Sequence, residues 1–390
     1  MRLSMQVIVA ALLAAAVAVT GCRKGDTPVE EQGESVGVIG GAAWPIFRGN
    51  QGLTGVAEGQ LPDSLRLKWR FKTGDSVRSS PVVSDGVVYF GSDDGRVYAV
   101  SVETGKIIWD FETKDGVEAS PLVLDGVVYV GSRDTFFYAL DARTGELKWK
   151  YETDGEITGS ANWTQATDGE GVWIVVGGHD YRLYCFDSGD GRLVWRYKAD
   201  NFINGGAAVF EGRVYFGGCD AVIHEVSGAD GSGLGQIETG SYIAASAAVA
   251  GGRVYVGNYD NVFICGDLGE RKIAWEFSDS EGAFFSSPAV GEGVVLVGCR
   301  DGRLYCLDRA DGGVVWTFGA KGDIDSSPVI CGEKAVFGSS DGRLYVVRME
   351  DGGLAWSYDT GQAIVSSPGV AGGLVVVGCD DGFLYAFGNR

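Results

Sequence analysis

The sequence predicts an all-β fold: an eight-bladed β-propeller of four-stranded antiparallel blades, closed by a strand from the N-terminal side. Three observations carry this. A glycine recurs at Gly91, Gly131, Gly177, Gly217, Gly257, Gly298, Gly338 and Gly378, and an aspartate follows in register at Asp94, Asp134, Asp180, Asp220, Asp260, Asp301, Asp341 and Asp381. The spacings are 40, 46, 40, 40, 41, 40 and 40, and a period of this length belongs to repeat architectures built from four-stranded units. Glycine is abundant (63) and proline scarce (8), which suits many short strands and tight turns better than helices.

Within a unit, the hairpin is the clearest element. Val87–Ser92 and Arg96–Ser101 read as two strands joined at Asp94-Gly95, which predicts a type I′ turn with positive φ at both central residues. The innermost strand follows a run of small residues, such as Ser79-Ser80-Pro81, Gly205-Gly206-Ala207 or Ser326-Ser327-Pro328, as crowding around one axis requires. The fourth strand carries a tryptophan at Trp69, Trp109, Trp149, Trp195, Trp275, Trp316 and Trp356, with Gly235 in its place in the fourth unit. The last unit ends without a fourth strand, while residues 65–71 form a surplus one at the start. That strand is expected to complete the last blade beside residues 383–387 and abolish the open edge.

Residues 1–21 read as a signal peptide, with Arg2 ahead of a 13-residue apolar run over 7–19, too short for a stable span. Val19-Thr20-Gly21-Cys22 resembles the bacterial lipoprotein signal, which implies cleavage before Cys22 and its acylation. Arg23 stands where an aspartate would retain a lipoprotein in the inner membrane, and so points to the outer membrane. Residues 22–43 read as a flexible tether, and 44–390 as the propeller, led in by Trp44-Pro45-Ile46-Phe47. Removing Cys22 leaves seven cysteines, expected as small buried thiols because equivalent sites of neighbouring sheets lie about 10 Å apart. Acidic residues outnumber basic ones 52 to 32, a net charge of −20 that makes nucleic acid a poor partner.

The run Ala139-Leu140-Asp141-Ala142-Arg143-Thr144-Gly145-Glu146-Leu147-Lys148-Trp149 recurs around the ring. It resembles the tryptophan-docking motif of the pyrroloquinoline-quinone (PQQ) propeller proteins. The resemblance covers 44–390 and implies eight blades, each Trp packed on the Thr-Gly turn of a neighbour. It also implies looser packing of the unit that carries Gly235. One branch of that family comprises quinoprotein dehydrogenases, whose adjacent Cys-Cys pair has no counterpart here. The other is the BamB-type branch of non-catalytic lipoproteins serving outer-membrane β-barrel assembly, which the length and lipoprotein signal match. No cofactor is therefore expected.

Only His179 and His224 are present, in different repeats, so a histidine-based metal or nucleophile site is not expected. The turn aspartates read as local Asx hydrogen bonding rather than a calcium ring. Function is sought instead where the repeat varies. The column before each small run holds Arg78, Glu118, Thr158, Asn204, Ala244, Phe285, Asp325 and Val365. The column before each turn aspartate holds Asp93, Arg133, His179, Cys219, Tyr259, Arg300, Ser340 and Asp380. Both should rim one mouth of the channel, a mixed polar and aromatic surface suited to a protein partner. On the opposite face, the third unit carries six extra residues within Trp163–Gly171, where an exposed Trp163 or Trp173 would be a second contact candidate. The reading is a monomeric, membrane-tethered scaffold; the alternatives are a ligand- or glycan-sensing propeller and a PQQ-dependent dehydrogenase.

Overall fold

The computed structural model describes residues 43–169 and 171–389; Cys22 and the rest of the signal and tether up to residue 42 lie outside them. Among the described residues, eight sheets follow one another along the chain. Blade 1 consists of Val82–Ser84, Val87–Ser92, Arg96–Ser101 and Ile107–Glu112, each antiparallel to the next. The middle strands are enclosed on both faces by neighbouring blades, with Val88, Phe90, Val97 and Val100 fully buried. That is why they read as continuous apolar runs rather than alternating ones.

Closure is as the repeat arithmetic requires. Arg66–Lys72 pairs antiparallel with Phe383–Gly388, placing Trp69 opposite Ala386 and finishing the blade that begins at Gly369–Ala371.

The hairpin turn differs from expectation. Of the two central residues only Gly95 has positive φ (81°), and the same place is held by Thr135 (73°), Tyr181 (69°), Ala221 (66°) and Asn261 (64°). This is the type I turn followed by one left-handed residue, not type I′, and it tolerates non-glycine side chains. The aspartate fixes it. Asp94 accepts the backbone N–H of Arg96 (3.1 Å), the N–H of Gly74 (2.7 Å) and the hydroxyl of Tyr98 (2.7 Å). Five more units repeat the Tyr–Asp bond, and in the fourth His224 takes the tyrosine's place, Nε2 lying 2.9 Å from Asp220.

The invariant Gly91 has a different role from a turn glycine: a Cβ there would lie 2.3 Å from Val117 of the next blade. Val77, Val117, Ile157, Ile203, Ile243, Phe284, Ile324 and Ile364 form this fully buried seam, one per blade.

Six tryptophans dock on the next blade. Trp109 Nε1 donates to Ala142 O at 2.9 Å, and its ring lies so close to Gly145 (φ 74°) that a Cβ there would meet it at 2.7 Å. Trp69, Trp149, Trp195, Trp275 and Trp316 repeat the bond on Val102, Ser188, Gly228, Arg309 and Met349. Trp356 is the exception. The last blade takes its fourth strand from the N-terminal side and has no Thr-Gly turn, so Trp356 packs edge-on against Phe387, centroids 5.5 Å apart.

The fourth blade is not left loose. Opposite Gly235, the docking glycine of the next turn is replaced by Arg271, and the small residue of the third strand by Glu225. Arg271 Nε lies 2.3 Å from where a Cβ on Gly235 would be and bonds Glu225 at 2.8 Å, while Arg213 bonds the other carboxylate oxygen. A void of about 10 Å³ remains, room for about one water. The seven cysteines among the described residues are all buried and unpaired.

The lead-in is more than a packing segment. Trp44 exchanges two 2.8 Å backbone bonds with Val83; Pro45 accepts from Val123, Gln51 from Val209, Gly52 from Val249, Thr54 from Val290 and Gly55 from Ile330. Gln51 also accepts from Asn162 of blade 3, and Val56–Ala57 adds a parallel strand beside Val329–Cys331. These residues form a belt stitched to the innermost strands of blades 1 to 7 in turn. It closes the mouth where the first strands end, opposite the variable columns.

Candidate interaction rim and central chamber

The two variable columns meet each other, because the loop before each first strand and the hairpin turn of the same or an adjacent blade emerge side by side. Arg78 lies between Asp380 (3.2 Å) and Asp93 (3.7 Å). Arg133 bonds Glu118 at 3.0 Å and lies 3.5 Å from Asp115. His179 Nε2 meets Thr158 Oγ1 at 3.0 Å, and Asn204 donates to Cys219 Sγ at 3.1 Å. Arg300 holds Asp325 through two bonds of 2.9 and 2.8 Å and stacks over Phe285 at 3.4 Å, with Tyr259 against the same ring at 4.6 Å. Hydrogen bonding to Asp380 raises the pKa of Arg78, and bonding to Asp325 raises that of Arg300. Burial pushes Asp93 up, with Glu118 adding to it against the pull of Arg78.

Part of this rim is missed by reading one residue per loop. Tyr242 is 54% exposed and Tyr259 42%, and the two rings meet edge-on; Phe202 (40%) lies against His179 and Tyr181. Phe202 and Tyr242 occupy a third variable column, two positions before Asn204 and Ala244. Together they make an aromatic arc over blades 3 to 6. On the opposite face, neither Trp163 nor Trp173 is exposed, so neither serves as the second contact candidate. Both are half-buried against the cores of their own and adjoining blades, and Trp163 walls a cleft with Gln51, Val209 and Glu211.

Inside the rim lies a chamber of about 170 Å³, floored by Phe47 and walled by Ser80, Ser120, Ser160, Ser246, Ser287, Ser327, Ser367 and the Gly159, Gly205 and Gly206 backbone. Its hydroxyls knit the blades together. Ser80 Oγ accepts from Ser367 N (3.0 Å), Ser367 from Ser327 (3.0 Å), Ser327 from Ser287 (2.9 Å), Ser287 from Ser246 (3.1 Å) and Ser246 from Gly206 (2.7 Å).

Fold and chamber define a propeller of the PQQ-like repeat class. The chain belongs, more narrowly, to the family described as outer membrane protein assembly factor BamB, whose profile matches residues 62–199, 179–289 and 271–389. None of the curated proteins matches the sequence. Among solved structures, BamB from Moraxella catarrhalis is similar at 17% identity and a TM-score of 0.69, covering 84% of this chain and 100% of that one. Quinohemoprotein alcohol dehydrogenase from Comamonas testosteroni aligns at 16% identity and a TM-score of 0.76, over 89% of this chain and 81% of its own. A computationally designed protein, Ika8, aligns at 18% and 0.72, over 82% and 98%. At such identities the likeness concerns the fold alone.

The quinone cofactor of the dehydrogenases does not fit the residues present. No cysteine lines the chamber of about 170 Å³, so the adjacent pair of those enzymes has no counterpart in its wall. No cluster of three or more His, Cys, Asp or Glu side chains among the described residues could hold a metal.

Proposed function

We propose that the protein is a non-catalytic scaffold, lipid-anchored through Cys22 on the periplasmic side of a bacterial outer membrane, that docks a protein of the β-barrel assembly machinery on its variable rim. The observation that carries this reading is the aromatic arc with its arginine-carboxylate pairs, raised on a frame whose repeat columns are otherwise occupied by packing. Exposed tyrosines and an arginine stacked on an aromatic ring are the side chains that dominate protein interfaces. The family's description supplies the setting.

Affinity capture with the full lipidated chain from detergent-solubilised membranes tests it. Recovery of barrel-assembly subunits is expected; their absence overturns the assignment. Tyr242→Ala with Tyr259→Ala should weaken capture roughly tenfold or more with only a small drop in melting temperature, because both rings stand at the exposed rim. Robust alcohol oxidation after reconstitution with PQQ and calcium would overturn the non-catalytic part.

A further inference from the structure

The serine ring has an unused chemical capacity. In Ser80, Ser246, Ser287, Ser327 and Ser367 the hydroxyl oxygen accepts a backbone N–H, and none of these hydroxyls donates to any group among the described residues. A serine hydroxyl carries one proton to donate. Five donors therefore line one chamber without acceptors. A sixth, Ser160 Oγ, is buried in the same wall and has no partner of either kind.

Beneath the ring lies a positive charge. Arg48 is 1% exposed, and its Nη2 donates to Pro288 O (2.9 Å) and Pro328 O (2.6 Å), the residues that follow Ser287 and Ser327. Its guanidinium carbon stands 5.9 Å from the centroid of Phe47, the chamber floor. Nε and Nη1 have no partner, and the two bonded acceptors are neutral carbonyls. Burial without a counter-charge pushes its pKa down, to about 9. The carboxylates at the mouth do not serve: Glu118 is held by Arg133 and Asp325 by Arg300.

Hydroxyls with a proton to donate and no acceptor in the chamber wall, with a guanidinium outside that wall behind Phe47 that no carboxylate neutralises, suit a ligand that only accepts. We propose that the chamber binds one small anionic group, seated on the serine ring above Phe47 and Arg48, supplied either by a free anion or by the carboxylate end of a peptide chain. The site is independent of what docks on the rim.

Crystals of the full chain soaked in sodium bromide should give an anomalous peak within hydrogen-bond reach of the serine oxygens. In solution, the melting temperature should rise saturably with sodium acetate at constant ionic strength. Ser287→Ala with Ser327→Ala, which leaves Arg48 in place, should shift the acetate midpoint roughly tenfold or more. The readout is the anion dependence, so a uniform loss of stability in the variant does not mimic it. A tripeptide with a free C-terminus that binds more tightly than acetate, while its amide does not bind, assigns the group to a chain end; equal binding assigns it to a free anion. A chamber with no bromide peak, together with a melting temperature indifferent to acetate and to the tripeptide, overturns the proposal.

Discussion

At the scale of single residues, the most informative position is the one that breaks the repeat. Gly235, Arg271 and Glu225 change together: the tryptophan becomes glycine, the glycine under it becomes arginine, and the small residue opposite becomes glutamate. Gly235→Trp alone is therefore expected to destabilise, since a Cβ already meets Arg271 at 2.3 Å. Combining Glu225→Ala, Gly235→Trp and Arg271→Gly in one chain should recover a docked seam, and melting temperatures of the single and triple variants check it. The pair also has a pH signature. Burial pushes the Glu225 carboxyl up, but bonds from Arg271 and Arg213 outweigh this and hold it below its ordinary 4.5. A depressed carboxyl contributes stability that is complete above its unfolded value and lost as pH falls through the folded one. Melting temperature should thus fall below about pH 4.5, with a smaller slope there in Glu225→Gln. At an ordinary seam, Trp109→Ala should cost about 3–5 kcal/mol in denaturant unfolding.

At the scale of elements, the sequence made plain what the repeat states eight times and hid what is said once. The glycine and aspartate columns, the docking tryptophans and the closing strand were legible because each position could be compared with its copies. Turn type was not. Asp94-Gly95 suggests two left-handed residues, and only the units bearing Thr135, Tyr181, Ala221 or Asn261 after the aspartate, positions that a strict glycine requirement forbids, hint at a single one. The co-variation of Glu225, Gly235 and Arg271 was present in the columns but reads as a defect until the side chains are seen to fill one space. The belt was the least legible element. It has no repeat to compare with, and its bonds run from backbone groups that carry no sequence signature. Arg48 and Leu53 hold left-handed φ of 62° and 56° to make its bends, a strain that the bonds to seven blades offset. Because the belt ties blades already paired by their own strands, removing 44–57 should lower the melting temperature while leaving one cooperative transition, as calorimetry would report.

At the scale of the whole molecule, closure decides whether the eight blades melt as one. Neighbouring blades contact through tryptophan, valine and isoleucine seams, so an open array would behave as a one-dimensional stack in which ends fray. The ring removes the ends by a single device: Arg66–Lys72 lies on Phe383–Gly388, and its Trp69 docks on the first blade through Val102 O at 2.7 Å. One strand thus completes the last blade and fastens it to the first. Deleting residues 65–71 removes both connections at once and bares the edge of Phe383–Gly388, whose apolar residues Leu384 and Phe387 are fully buried in the intact ring. The truncated chain should lose its sharp transition and aggregate through that edge. Trp69→Ala separates the two roles, since it keeps the strand pairing and removes only the dock. It should melt lower but still cooperatively. A truncated chain that melts as sharply as the parent, at the parent temperature, would mean that the belt and the seams close the ring without this strand.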